Sequence, residues 1–203
     1  PLSNLDALLR VLMRSELKKL QRKIKVTTIY VTHDQVEAMT MADRIAIMNE
    51  GRLMQVGTAS EVYDKPGNLF VAGFVGSPRM NFFDAVVEEE ELDAGDFKVK
   101  LLPEHKKLLE GLRGKTVVAG IRPEHIYLVG RAPREEALQE VEGTVDFFEQ
   151  LGADTILHVK IGEKLILVKV PGRYIVEFGS KVRVQFDLKY LHVFEKNSEK
   201  AVF

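Results

Sequence analysis

The sequence predicts two joined regions of different class: an α/β region first, then an all-β region of small-barrel or sandwich type. Three observations carry this. Residues 5 to 24 place Leu5, Leu8, Leu9, Leu12, Met13, Leu17, Leu20 and Ile24 at i, i+3, i+4 spacing, the period of a helix. Residues 26 to 32, Val-Thr-Thr-Ile-Tyr-Val-Thr, read as a buried strand that stops at a polar Thr32-His33-Asp34 corner. Beyond Gly76-Ser77-Pro78 the apolar period changes to two.

In the first region Asn4 is suited to cap the opening helix and Asp6 to its first turn, with Lys18, Lys19, Arg22 and Lys23 at its far end. A second helix is expected from about Asp34 to Ala42. Arg44–Met48 and Arg52–Val56 flank Asn49-Glu50-Gly51, which predicts a hairpin with a three-residue loop. Thr58 and Glu61 have capping-box spacing and open a short helix to Asp64, which Pro66-Gly67 ends. Asn68 caps another through Val75. A strand buried on both faces needs neighbours, and residues 1–75 supply too few. This region therefore reads as the end of a larger sheet whose first strands lie upstream of Pro1.

In the second region the predicted strands are Phe82–Glu88, Phe97–Leu101, Thr116–Ile121, His125–Val129, Glu140–Phe148, Thr155–Ile161, Lys164–Val170, Lys181–Phe186 and Tyr190–Phe194. Glu104–Gly111 reads as a short helix. Turn residues such as Gly95-Asp96, Gly162-Glu163 and Pro171-Gly172 separate the strands, as in a barrel or sandwich. The expected division is residues 1–76, a linker at 77–81, a β region at 82–195 and a frayed tail at 196–203.

Composition narrows the function classes. Residues 81–203 carry 18 Lys and Arg against 22 Asp and Glu, which argues against nucleic acid, whose backbone demands cationic contacts. There is no Cys, so disulfides and thiolate metal sites are excluded. No apolar run approaches the roughly 20 residues of a membrane span. His105, His125, His158 and His192 show no metal-ligand spacing and read as structural. The run Glu88–Glu91 reads as a solvated loop or edge.

The Thr32-His33-Asp34 corner carries the chemistry. It sets an imidazole at the carboxyl end of a predicted strand and beside a helix N-terminus, where open α/β sheets hold ligands and where anions are favoured. Taken alone, His33 is more often a structural or capping residue. Asp34 suits an N-cap. Glu37 falls at the third helical position, where helix-end electrostatics explains it. Gly114-Lys115-Thr116 ends like a phosphate-binding loop, but the required first glycine is Leu109. Its context is also reversed, helix before and strand after.

Pro1-Leu-Ser-Asn-Leu-Asp-Ala7, then about 20 helical residues, then Tyr30-Val-Thr-His-Asp-Gln-Val-Glu-Ala-Met39 is a specific ordered pair. It resembles the C-terminal part of the ATPase subunit of ATP-binding-cassette transporters, in the sugar-importer group of maltose/trehalose type. Gly76-Ser-Pro-Arg-Met-Asn-Phe82 is similar to that family's junction into its regulatory domain, and Gly120-Ile-Arg-Pro-Glu-His125 to a recurring segment inside it. The resemblance covers nearly the whole chain. It implies the end of a nucleotide-binding domain followed by an OB-like barrel. It also implies a switch role for His33 at the γ-phosphate of ATP, and a dimer-seam D-loop at Ser3, Asn4, Leu5 and Asp6. The implied partners are a second ATPase subunit, transmembrane permease subunits and, indirectly, a sugar-binding protein, at the cytoplasmic face of the membrane. ATP and Mg²⁺ are the implied cofactors of the complete subunit.

The 203 residues contain no G-x-x-x-x-G-K-[ST], no L-S-G-G-Q and no Asp-Glu pair before the Pro-Leu-Ser-Asn-Leu-Asp segment, so the chain alone is expected neither to bind nor to hydrolyse ATP. On those terms it would act as a regulatory or dimerisation module, with a small-ligand-binding barrel as a further reading. Arg122, Glu124 and His125 read first as a turn held by a salt bridge and second as a regulatory contact.

Overall fold

The computed structural model describes residues 7–203. The expected D-loop residues Ser3, Asn4, Leu5 and Asp6 lie outside the described residues. The chain divides into two compact units, one running to Pro66 and the other from Gly67 to Phe203.

In the first unit α1 (Ala7–Ile24) is followed by α2 (Gln35–Met41). The Lys18 ammonium donates to the carbonyls of Thr40 and Met41 at 3.2 and 2.9 Å. It thereby satisfies the open end of α2 with a cation where the helix dipole favours one. β1 (Ile45–Asn49) and β2 (Arg52–Gly57) form the expected hairpin. Asn49 pairs with Arg52, so the loop is Glu50-Gly51, one residue shorter than expected. Both loop residues have positive φ, 47° and 76°, which matches the right-handed strand twist. α3 (Ala59–Asp64) opens on the expected capping box. The Glu61 carboxylate accepts from the Thr58 amide at 2.7 Å, and Thr58 Oγ1 accepts from the Glu61 amide at 3.3 Å.

One expectation fails here. Residues 26 to 32 run extended without joining a sheet. Val26, Ile29 and Val31 are 57%, 89% and 82% exposed. The β-branched residues favour extended backbone, but a ladder also needs a neighbouring strand, and among the described residues none pairs with this segment.

The second unit opens with α4 (Leu69–Phe74), capped by Asn68, whose side-chain oxygen accepts from the Val71 amide at 3.0 Å. The sequence places the linker at 77–81. In the structure the division falls earlier, because α4 packs on the β region through Ala72, Met80 and Phe194. β3 (Asn81–Val87), β4 (Glu91–Asp93), β5 (Lys98–Lys100), α5 (Pro103–Leu109), β6 (Thr116–Ile121) and β7 (Ile126–Leu128) follow. Then come β8 (Leu138–Gln150), β9 (Asp154–Ile161), β10 (Lys164–Pro171), β11 (Lys181–Asp187) and β12 (His192–Glu195).

These strands form two antiparallel five-stranded sheets. One has the order β12-β6-β3-β4-β5 and the other β10-β9-β8-β11-β7. Their alternating apolar faces enclose one core that includes Phe83, Leu92, Val117, Val159, Val184 and Phe186.

Two side-chain amides tie each sheet's central strand to an edge strand of the other. Asn81 on β3 accepts from the Leu167 amide of β10 at 2.7 Å and donates to its carbonyl at 2.8 Å. Gln139 on β8 accepts from the Lys100 amide of β5 at 2.6 Å and donates to the Lys98 carbonyl. Each amide satisfies edge-strand backbone groups as a neighbouring strand would.

The tail departs from expectation. Residues from Lys196 onward turn back on β12 and do not fray. Val202 donates to the Val193 carbonyl at 2.7 Å and Val193 to the Phe203 carbonyl at 3.1 Å. The same segment reaches the start of α4, with Ala201 donating to Gly67 and Leu69 to Glu199. Val202 and Phe203 pack on the core. Apolar burial and ladder bonds at the last residues outweigh the entropy that would fray them.

Candidate functional site

His33 stands between the extended segment and α2 with its imidazole exposed. Asp34 caps α2, its Oδ1 accepting from the amides of Val36 at 2.8 Å and Glu37 at 3.2 Å. The Asp34 amide donates to Thr32 Oγ1 at 3.0 Å, closing a tight turn around His33. That hydroxyl in turn donates to Glu37 Oε2 at 2.7 Å, and the Tyr30 hydroxyl donates to the same oxygen at 3.1 Å. Burial, reinforced by the hydrogen bond to Glu37, pushes the Tyr30 phenol above its ordinary pKa.

Glu37 is the residue to which sequence reasoning gave only a helix-end role. Its position in the first turn of α2 fits helix-end electrostatics, yet its side chain is only 2% exposed and engages two hydroxyls from the segment that leads into His33. The signal was available. Tyr30 and Thr32 are two residues apart, so in extended backbone they share a face.

Arg122 is 2% exposed and lies within the second unit. Its Nη1 donates at 2.6 Å to the carbonyl of Val75, the residue that ends α4. Arg122 thus ties the segment after α4 to the end of β6. Pro123, Glu124 and His125 form a single 3₁₀ turn. The His125 ring stacks on Tyr190, centroids 3.6 Å apart and 3° from parallel. Beside this turn lies a groove of about 450 Å³. Glu124, Tyr127, Arg131, Asp154 and Lys169 contribute its polar lining, and Lys169 is paired with Asp154 at 3.1 Å.

The other histidines have structural settings. His105 is buried and stacks on Phe203 at 4.3 Å, and burial lowers its pKa. His158 lies 2.8 Å from Glu149. Gly114 lies in the turn before β6 with φ 72°, so Gly114-Lys115-Thr116 leads into a strand and does not cradle a helix N-terminus. Among the described residues no three His, Asp or Glu side chains converge as a metal site.

Residues 76–126 match the MalK OB fold domain, and residues 119–194 match the TOBE domain. The first match holds β3 to β6, and the second holds β7 to β11 together with the end of β6 and most of β12.

Along its whole length the chain is 52% identical to the trehalose/maltose import ATP-binding protein MalK of Thermococcus litoralis, of which it covers 56%. It is 43% identical to the multiple sugar-binding transport ATP-binding protein MsmK of Streptococcus mutans, covering 57%. It is 41% identical to the sn-glycerol-3-phosphate import ATP-binding protein UgpC of Psychromonas ingrahamii, covering 53%. The chain spans about half the length of these relatives. Among solved structures, the cytoplasmic molybdate-binding protein ModG aligns with a TM-score of 0.45 at 17% identity, over 56% of this chain and 94% of that one.

Proposed function

This chain is a relative of the ATP-binding subunits of sugar importers, and from that premise we propose that it supplies the switch-histidine corner and the regulatory β domain of such a subunit. The observation that supports the reading is the hydrogen-bonded turn around an exposed His33 at the N-terminal end of α2. An imidazole N–H aimed from such a corner can donate to a terminal phosphate oxygen. Phosphoryl transfer depends on positioning and charge stabilisation of this kind. On the same reading Ser3, Asn4, Leu5 and Asp6 line the seam with a second ATPase subunit.

The partners follow from that role: transmembrane permease subunits directly and a sugar-binding protein through them, at the cytoplasmic face of the membrane. No helix among the described residues is long and apolar enough to cross a membrane. ATP and Mg²⁺ belong to the complete subunit. No described residue of this chain is assigned to the metal.

The 203 residues alone are proposed to act as a regulatory and interaction module without ATPase activity, because they contain no G-x-x-x-x-G-K-[ST] phosphate loop. Isothermal titration of this chain with Mg-ATP tests that statement. No saturable heat is expected up to millimolar nucleotide, and micromolar binding would overturn it.

A further inference from the structure

Three hydrogen bonds form a closed ring around His33. Thr32 Oγ1 donates to Glu37 Oε2, the Glu37 amide donates to Asp34 Oδ1, and the Asp34 amide donates back to Thr32 Oγ1. The Tyr30 hydroxyl adds a second donor to the same Glu37 oxygen. We propose that Thr32 and Glu37 are positioning residues for His33, a relay that fixes the backbone on both sides of it and so aims the imidazole. The proposal rests on the reading of His33 as the phosphate-contacting group.

The argument begins with proton count. A threonine hydroxyl has one proton and two lone pairs. With that proton given to Glu37, a lone pair is turned toward the Asp34 amide. Glu37 therefore orients the acceptor that closes the turn. The imidazole is exposed, so its direction is set by the backbone that carries it.

Burial points the same way. A carboxylate that served only the helix dipole would gain from an exposed position at lower desolvation cost. Glu37 is buried instead, with hydroxyls that both come from the segment leading into His33. The far end of α2 is anchored separately by Lys18, so the helix is held at both ends.

Both hydroxyls donate to one oxygen. The relay needs an acceptor there and does not need a charge. Glu37→Gln keeps an acceptor in place, whereas Thr32→Val preserves shape and removes the relay.

The test joins a spectroscopic readout on this chain to turnover in the complete subunit. In the 203-residue chain the His33 imidazole NMR resonance is expected to stay single and sharp in wild type and Glu37→Gln, and to split or broaden in Thr32→Val. In the complete subunit Thr32→Val is expected to lower turnover about tenfold. Its KM for Mg-ATP and the turnover of Glu37→Gln are both expected to stay within about twofold of wild type. Wild-type turnover or an unchanged His33 resonance in Thr32→Val overturns the relay. So does a loss in Glu37→Gln as large as that in Thr32→Val, since charge would then be the operative property. His33→Ala separates the two readings. If it retains turnover, the phosphate role of His33 fails, while the resonance still reports whether the relay holds the turn.

Discussion

The two units treat their apolar residues in opposite ways. In the second, Leu92, Val117, Val184 and Phe186 are at most 1% exposed, and the alternating pattern closes on itself across two sheets. In the first, Leu8, Ile29 and Val31 are 73%, 89% and 82% exposed, although Val26–Thr32 is as β-branched as any strand of the second. Intrinsic preference is similar in both regions, but Val26–Thr32, unlike β1 and β2 beside it, finds no strand partner among the described residues. A strand is a cooperative object that a suitable sequence cannot form alone. Exposed β-branched residues in extended backbone are open to pairing with a further strand.

The largest expected effect lies in the core of the second unit. Phe186→Ala removes a fully buried ring that meets Phe97 edge-on at 5.7 Å, and should cost about 3–5 kcal/mol of unfolding free energy. Urea titration followed by circular dichroism measures it. A loss below 1 kcal/mol would mean that the core is looser than its burial implies.

The amide ties come next. Asn81→Leu leaves the Leu167 amide and carbonyl without their partner and should cost about 1–3 kcal/mol. Hydrogen exchange at the Leu167 amide should accelerate in the variant; unchanged exchange would show that the tie is dispensable.

A smaller effect concerns pH. Burial depresses the His105 pKa from its ordinary value of 6.5. The unfolded chain then binds more protons than the native one between the depressed value and 6.5, so stability rises with pH through that window. The stabilisation is present above 6.5 and is lost as pH falls toward the depressed value. The Val202–Phe203 segment, stacked on His105, should loosen first. Denaturation midpoints in this pH range check the slope, and His105→Leu should flatten it.

The smallest effect is the most telling for the comparison. Ile29→Thr should change the stability of this chain by no more than about 0.5 kcal/mol, since the side chain is exposed. In a complete subunit the same change should destabilise by several times that. Equal small effects in both would remove the case for a missing sheet.

Much of the architecture was legible in the residues. Thr58 and Glu61 announced a capping box, Asn68 a cap, and Asn49-Glu50-Gly51 a hairpin, though with a loop one residue too long, because those motifs are local and carry their own hydrogen-bond partners. What was not legible depended on distant contacts. The seating of the tail needs Gly67, which accepts from Ala201 and is far from it in sequence. The early unit boundary needs α4 to meet Phe194. β4 hides within an acidic run, where Glu91 pairs across to Lys100. At the candidate site, the type of His33 and its corner could be read from sequence, whereas the inward turn of Glu37 appears only when Tyr30 and Thr32 are folded against it.

The central proposal is that His33 contacts a phosphate in a complete subunit. ATP hydrolysis by the complete subunit with His33→Ala, measured beside its nucleotide affinity, tests it most directly. The account predicts turnover lowered about 10²–10³-fold with affinity nearly unchanged. Turnover equal to wild type would contradict it.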